Sequence, residues 1–227
     1  MHPLIEKAKQ ERRHLLEPEA LGLLGVYGIS VPRNRFVHTE EEALSAATLI
    51  GLPIVMKVVS PDVLHKTEMS GVILPIESEE AVRKAFSRLV SMESGGANVL
   101  GVLVSPFQRH EIELSVGMIR DSQFGPVMNC GLGGIWIEIL RDMAYGIAPL
   151  SLPEAEAMLR SLRGYEILTG TRGRKAADGR ALCELLVSLS RMVLDEEGIQ
   201  EIDLNPIFPM EKGYFIADAR ILLSEVV

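Results

Sequence analysis

Short β-rich runs alternate with capped helices along this chain, and the alternation restricts its fold more than any other feature of the sequence. Helices are predicted from Glu17-Pro18 to Gly28 and over 39–50, 78–92, 153–162 and 179–197. Strands are predicted over 35–38, 53–59, 72–76, 99–105, 111–119, 126–130, 202–208 and 214–218. Thr39 with Glu42 three residues later forms a capping box, which marks a helix start. Elements in this order are typical of an α/β or α+β chain.

A break in composition at 93–98 (ESGGAN) separates the predicted elements into two lobes. A length of 227 residues allows one or two domains at about 150 residues each. We expect an N-terminal helical arm over 1–16, followed by one domain over 17–227. The N-lobe of that domain is expected over about 17–98 and its C-lobe over about 99–227.

Charge and cysteine content exclude several classes of protein. The chain carries 23 Lys and Arg against 31 Asp and Glu, and a net charge of −8 does not favour nucleic-acid binding. No stretch approaches the roughly 18 uninterrupted apolar residues of a membrane span, and charges stand where a signal peptide needs its apolar core. Because Cys130 and Cys183 cannot form a disulfide framework, we expect a cytoplasmic protein.

The run PIVMKVV and the loop after it contain the first candidate site. Lys57 lies near the end of the run, and a lysine there is costly to bury unless an anion meets it. The loop 60–71 (SPDVLHKTEMSG) contains His65, Lys66 and Thr67, whose amides, hydroxyl and cations can surround a phosphate. A surface turn with a lysine that extends to solvent is the alternative interpretation.

The segment EIDLNP, residues 201–206, contains a candidate metal site. Strand alternation places Asp203 and Asn205 on one face, and a turn over 206–213 brings Asp218 back on the neighbouring strand. Hard oxygen ligands on rigid strands suit Mg²⁺. The alternative is an edge hairpin with a polar outer face.

Two further patterns can place polar or flexible groups near a ligand. Glu113 lies on an alternating strand, where its carboxylate can bind a ribose hydroxyl or face solvent. Gly131, Gly133 and Gly134 permit either close backbone approach to a ligand or a tight turn between strands.

In their order and spacing these motifs resemble an ATP-grasp module, which has a two-lobed fold. The closer resemblance is to the β subunit of ADP-forming acetyl-CoA synthetases, in the acyl-CoA synthetase superfamily that includes succinyl-CoA synthetase. It runs from about residue 17 to the C-terminus through ALGLLGVYGISVP, GLPIVMKVVSPDVLHKTEMSGV, EIELSVGMIRDSQFGPV, CGLGGIWIEILRDMAYGIAPL and EIDLNPI. Met69-Ser70 and Asn129-Cys130 depart from the residues usual in the family.

The resemblance implies a site for ATP or ADP with Mg²⁺. The implied nucleotide contacts are Lys57, Leu64, Lys66 and Thr67 near the phosphates, Val104, Ser105 and Phe107 in the adenine hinge, and Glu113 at the ribose. Asn205 and Asp218 are implied to hold Mg²⁺, with Asp203 beside them. Arg172 and Arg174, in the loop TGTRGR, are candidate further phosphate contacts.

The resemblance also implies a reaction and a partner. His65 matches the histidine that relays a phosphoryl group in a ligase converting acyl-CoA, ADP and phosphate to carboxylic acid, ATP and CoA. The implied partner is an α subunit with CoA-binding and phosphohistidine domains, in an α2β2 heterotetramer. Two other functions stay open, which are a non-catalytic nucleotide-binding regulatory module and another ATP-grasp ligase that activates a carboxylate.

Overall fold

The computed structural model of the protein describes residues 1–62, 70–92, 96–134, 142–170 and 175–226. The helices in these ranges are α1 (Pro3–Gln10), α2 (Glu17–Val26), α3 (Glu40–Ile50), α4 (Glu79–Val90), α5 (Leu152–Ser161), α6 (Tyr165–Leu168) and α7 (Gly179–Asp195). The strands are β1 (Arg35–Val37), β2 (Ile54–Val59), β3 (Val72–Ile76), β4 (Gly101–Pro106), β5 (Leu114–Asp121), β6 (Gly125–Leu132), β7 (Met143–Ile147), β8 (Ile199–Pro209), β9 (Tyr214–Ile216) and β10 (Arg220–Leu223).

The chain divides into two compact units. The smaller unit consists of Leu16–Pro18 and Pro32–Arg109, and the larger unit of Met1–Leu15, Glu19–Val31 and His110–Val227. Mixed helix and sheet in both units agrees with the predicted α/β or α+β class. The structure places the boundary at Arg109 and His110 rather than at about residue 98, because β4 pairs with both β1 and β2.

The smaller unit is a four-stranded antiparallel sheet in the order β1-β4-β2-β3, with α3 and α4 packed on it. The predicted capping box is confirmed, since Thr39 Oγ1 accepts from Glu42 N–H at 3.2 Å and the Glu42 carboxylate accepts from Thr39 N–H. At α4 the cap is a single bond, in which Ser78 Oγ accepts from Ala81 N–H at 3.2 Å. These local hydrogen bonds fix where each helix begins. Apolar side chains of the two helices and of the sheet form the core of the unit.

The larger unit is an antiparallel sheet in the order β10-β8-β5-β6-β7, with β9 paired to β8. Ile202, Met118, Met128 and Gly146 form one row across it, and Gly146 lies against Met158 of α5. This row therefore marks the face that the helices cover, and Asp203 projects from the opposite face. No helix within the described ranges is long and apolar enough to span a membrane.

The structure also contains elements that the sequence patterns did not predict. β7, β10 and α6 are additional, and α7 ends at Asp195 rather than at residue 197. The expected arm over 1–16 is not separate, because Ile5 and Ala8 of α1 are fully buried and residues 1–15 belong to the larger unit. Lys9 Nζ donates to Ser224 Oγ at 3.3 Å, which ties α1 to the end of the chain.

Candidate functional site

A buried ion pair joins Lys57 to Glu17 in the smaller unit. Ile54, Met56 and Val58 of β2 enter the core with α3 and α4, so alternation places Lys57 on the opposite face of the sheet. Its Nζ lies 2.6 Å from Glu17 Oε1, and the two side chains are only 7% and 2% exposed. The carboxylate is therefore an anion of the kind that a buried lysine requires.

The predicted phosphate loop starts and ends beside Lys57. Lys57 faces Val72 across the β2–β3 pair, and Val58 N–H donates to Gly71 O at 2.8 Å. The predicted residues of that loop, Leu64, His65, Lys66 and Thr67, lie outside the described residues, as do Arg172 and Arg174. Their contacts with phosphate stay predictions, but backbone pairing fixes both ends of the β2–β3 connection near Lys57 in the sheet.

The predicted adenine hinge lies on β4, next to β2. Ser105 is 7% exposed and faces Val55, which places it on the same sheet face as Lys57. Val104 is fully buried in the core on the other face, so its side chain is not directed toward Lys57. β1 pairs only with residues 102–104 of β4. The edge of β4 that faces β1 is therefore not paired with β1 beyond Val104. Phe107 N–H donates a hydrogen bond to Pro53 O at 3.0 Å.

Glu113 is surrounded by close contacts in the larger unit. Gly133 N–H donates to Glu113 O at 2.6 Å, and a Cβ on Gly133 would lie 2.8 Å from Glu113 Cβ. Gly134 has φ +63°, and a Cβ there would lie 2.9 Å from Glu113 Oε2. His110 Nε2 lies 2.8 Å from Glu113 Oε1. Glycine is therefore favoured at positions 133 and 134 because Glu113 lies too close for a side chain there.

His110 is a residue that sequence reasoning missed. Its ring stacks on Phe208 with centroids 3.7 Å apart and planes 4° from parallel. Phe208 in turn stacks with Phe215, with ring centroids 5.9 Å apart and planes 5° from parallel. Because Phe208 is 98 positions away in the sequence, no local pattern could associate it with His110, and Glu113 three residues later was the only available signal.

Strand register brings the predicted metal ligands together. Ile207 faces Ile216 across β8 and β9, and Asp203 faces Arg220 across β8 and β10. The same register places Asn205 opposite Asp218, between those two pairs. Ala217 N–H donates to Pro206 O at 2.9 Å, which agrees with this alignment.

Asp203 has a basic neighbour on the same sheet face. Arg220 Nη2 lies 3.0 Å from Glu201 Oε1 and 3.7 Å from Asp203 Oδ2. Burial raises the pKa of the Asp203 carboxyl, Arg220 opposes that shift, and the charges of Asp218 and Glu201 add to it. The described residues include no group of three or more His, Cys, Asp and Glu side chains arranged to hold a metal. The amide oxygen of Asn205 and the carboxylate of Asp218 are nevertheless hard donors that fit Mg²⁺.

Cys130 and Cys183 are both buried free thiols. Burial raises the pKa of Cys130 to about 12, and it also raises the pKa of Cys183. Because the thiolate is the reactive form of cysteine, burial favours the less reactive neutral thiol at both positions.

The sequence and fold match known proteins over nearly the whole chain. A family model described as an ATP-grasp domain matches residues 6–223. The β subunit of ADP-forming acetate–CoA ligase I from Pyrococcus furiosus is 41% identical over 223 residues, which cover 97% of this chain and 96% of the relative. The ADP-forming acetate–CoA ligase I of Archaeoglobus fulgidus is 40% identical, but this chain spans only 33% of its length.

A solved structure gives the same relationship. Acetyl-coenzyme A synthetase 1 of Ca. Korarchaeum cryptofilum, in complex with coenzyme A and Ca-AMPCP, has a TM-score of 0.93 and 41% identity. The match covers 97% of this chain and 98% of that one. The two-lobed ATP-grasp fold and the family resemblance inferred from the motifs are both confirmed. The chain belongs to the ATP-grasp family and, within it, to the β subunits of ADP-forming acetate–CoA ligases.

Proposed function

We propose that the chain is the nucleotide-binding subunit of an ADP-forming acyl-CoA synthetase, most simply an acetyl-CoA synthetase. The reaction converts acyl-CoA, ADP and phosphate to carboxylic acid, ATP and CoA. The supporting observation is the match to the Pyrococcus furiosus β subunit over 97% of this chain and 96% of that one. A subunit of the same extent is expected to carry out the same part of the reaction.

The phosphoryl group is proposed to pass through His65. In the ATP-forming direction the His65 imidazole nitrogen first attacks the phosphoryl group carried by a phosphohistidine of the proposed α subunit. The P–N bond of that phosphohistidine breaks, and its imidazole leaves with the electron pair. A β-phosphate oxygen of ADP then attacks phosphorus, the P–N bond breaks, and the nitrogen regains its lone pair. Phosphoryl transfer requires mainly positioning and charge neutralisation, which Lys57 and Lys66 are proposed to supply. The ammonium of Lys57 is held by Glu17 at 2.6 Å, on the face of β2 opposite the core formed with α3 and α4.

Asn205 and Asp218 are proposed to hold Mg²⁺. The metal would neutralise charge on the nucleotide phosphates, and a related structure is described as a complex with Mg-AMPPCP. Asp203 lies beside this pair, and its contact with Arg220 supports a role in setting the local charge. Glu113 is proposed to bind the ribose, and the backbone of 105–107 to meet the adenine.

A partner is proposed to supply CoA and acyl binding. In the Archaeoglobus fulgidus relatives this chain matches 33% and 30% of longer proteins, so the remaining length there carries other domains. Here an α subunit with CoA-binding and phosphohistidine domains would take that place, in an α2β2 heterotetramer in the cytoplasm. Selection of the acid would then reside mainly in the α subunit.

The test is reconstitution with a candidate α subunit, followed by an acyl-CoA and ADP panel. ATP formation is expected with at least one acyl-CoA, and His65→Ala is expected to abolish it while ADP binding is retained. Label from [γ-³²P]ATP should appear on the protein as an acid-labile, base-stable phosphoryl group. His38→Ala, which changes a histidine of the smaller unit outside the site, is the matched control and should keep both activities.

The other outcomes separate the alternatives. Nucleotide binding without labelled protein, with or without the partner, would identify a regulatory module instead. Full synthetase activity in His65→Ala would identify a ligase that forms an acyl phosphate directly.

A further inference from the structure

We propose that His110 is a positioning residue that fixes the Glu113 carboxylate and thereby makes the site selective for ribonucleotides over deoxyribonucleotides. The inference rests on the proposed function, since it takes Glu113 as the group that binds the ribose. It adds a residue, and a specificity, to that site.

The hydrogen bond between the two side chains identifies Nε2 as the ring nitrogen that faces the carboxylate. An ionised carboxylate only accepts hydrogen bonds, so the contact of 2.8 Å requires the proton on His110 Nε2. The side chains of His110 and Glu113 are 33% and 31% exposed, so the pair borders solvent and is accessible to a ligand. One lone pair of Glu113 Oε1 is used by His110, and the carboxylate keeps others for ribose hydroxyls.

The orientation of the His110 ring is fixed from behind. Phe208 is 7% exposed and lies parallel to the ring, with centroids 3.7 Å apart. Phe208 belongs to β8 and Phe215 to β9, and the two are paired residues in that register. The ring that carries the Nε2–H donor is thus supported by β8 and by its neighbour β9.

The glycine segment restricts Glu113 from the other side. Gly133 N–H donates to Glu113 O, and neither Gly133 nor Gly134 could carry a Cβ without crowding Glu113. The backbone hydrogen bond holds the main chain of Glu113, and the contact with His110 holds its carboxylate. A carboxylate held in advance loses little freedom on binding, so its bonds to a diol contribute more fully to affinity.

The chain offers variants that separate the donor from the ring. His110→Phe keeps an aromatic ring to stack on Phe208 and removes the Nε2–H donor. His110→Gln keeps an N–H donor and removes the ring. His38→Phe is the matched control, because His38 also contacts a phenylalanine and a hydrogen-bond acceptor but lies in the smaller unit. Glu113→Ala removes the proposed ribose ligand itself.

The experiment measures dissociation constants of ADP, 2′-deoxy-ADP and 3′-deoxy-ADP with the full chain by calorimetry in the presence of Mg²⁺. Wild type is expected to prefer ADP over at least one deoxy analogue by about tenfold or more, as a bond to a charged group allows. His110→Phe should reduce that preference to about threefold or less, and His110→Gln should restore part of it. His38→Phe should keep the wild-type preference. In the reconstituted enzyme, His110→Phe should raise KM for ADP and leave kcat unchanged.

Each result decides between defined outcomes. Loss of the preference in both Glu113→Ala and His110→Phe supports the inference, because a general weakening of the fold would affect ADP and its analogues equally. Loss in Glu113→Ala with full preference in His110→Phe overturns the role of His110 and leaves the proposed function intact. An unchanged preference in Glu113→Ala overturns the ribose role in the proposed function, and with it the inference.

Discussion

At the scale of single residues, Lys57 shows how a neighbouring carboxylate stabilises a buried positive charge. The strand IVMKVV is entirely buried, and only an anion next to the ammonium makes that burial tolerable. Glu17, 40 positions earlier, supplies the carboxylate at 2.6 Å. The pair holds the lysine as a cation on the sheet face where a phosphate group is proposed to bind.

Glu17→Gln should destabilise the smaller unit strongly. Removing one partner of a buried ion pair leaves an uncompensated charge, which costs about 3–5 kcal/mol of the free energy of unfolding. The measurement is urea unfolding of the full chain, monitored by circular dichroism.

Glu80→Gln is the matched control for this substitution. It breaks a Lys–Glu contact of the same 2.6 Å length in the same unit, but those side chains are 75% and 77% exposed. Exposed pairs contribute about 0–1 kcal/mol, so the control should unfold almost as wild type does. Equal effects of Glu17→Gln and Glu80→Gln would contradict a stabilising role for the buried pair.

The sequence identified residues that act through local spacing and missed those that depend on distant partners. Alternation placed Asp203 and Asn205 on one face, and β8 has that arrangement. Lys57 stood out because its neighbours are apolar. Glu17 and His110 gave no comparable signal, since their partners Lys57 and Phe208 become neighbours only when the sheets form.

At the scale of elements, Asp178 connects the start of α7 to the turn between β8 and β9. Its carboxylate accepts from Ala181 N–H at 3.1 Å and from Gly213 N–H at 2.9 Å. Its own N–H donates to Met210 O at 2.8 Å. The residue therefore caps the helix and also fixes the turn that precedes β9.

The stability provided by Asp178 should depend on pH. The hydrogen bonds from Gly213 and Ala181 lower the pKa of its carboxyl from 3.8. The stabilisation is therefore fully present above the unfolded value and is lost as pH falls through the folded value. Asp178→Asn keeps one acceptor and cannot ionise. Its deficit in unfolding free energy should be larger at about pH 6 than at about pH 3, and equal deficits would contradict the prediction.

Elements with local start signals were predicted well, and those without them were not. Thr39 with Glu42 and Asp178 each mark a helix by contacts within one turn. β7 and β10 are short and owe their conformation to pairing with β6 and β8, so their own residues do not identify them. β4 belongs to the smaller unit although it follows the predicted boundary at about residue 98, because its partners β1 and β2 lie earlier in the chain.

At the scale of the whole molecule, the first fifteen residues form part of the larger unit. Ile5 is fully buried, Leu15 N–H donates to Ile221 O, and His2 N–H donates to the buried Glu196. The N-terminal segment therefore contributes to the core that supports β10, where Arg220 lies near Asp203.

Ile5→Ala should loosen that part of the larger unit. Loss of a buried isoleucine side chain costs about 2–5 kcal/mol, since a cavity replaces its contacts. Hydrogen exchange of the backbone amides of β10 and α7 should accelerate accordingly. Lys7→Ala, which changes a side chain 59% exposed on the same helix, should leave exchange unchanged. Unaltered exchange in Ile5→Ala would mean that α1 does not support these elements.

The length of β8 has a consequence for how such a gene can vary. This strand of eleven residues pairs with β5, β9 and β10, and its residues alternate between a covered and an open face. Insertion or deletion of one codon within it would turn Ile202 and Leu204 outward and bring Asp203 and Asn205 into the apolar interior. Frame-preserving changes of length are therefore far more restricted in β8 than single substitutions. Around the proposed metal site, natural variants are therefore expected to differ in the identity of β8 residues more often than in the length of the strand.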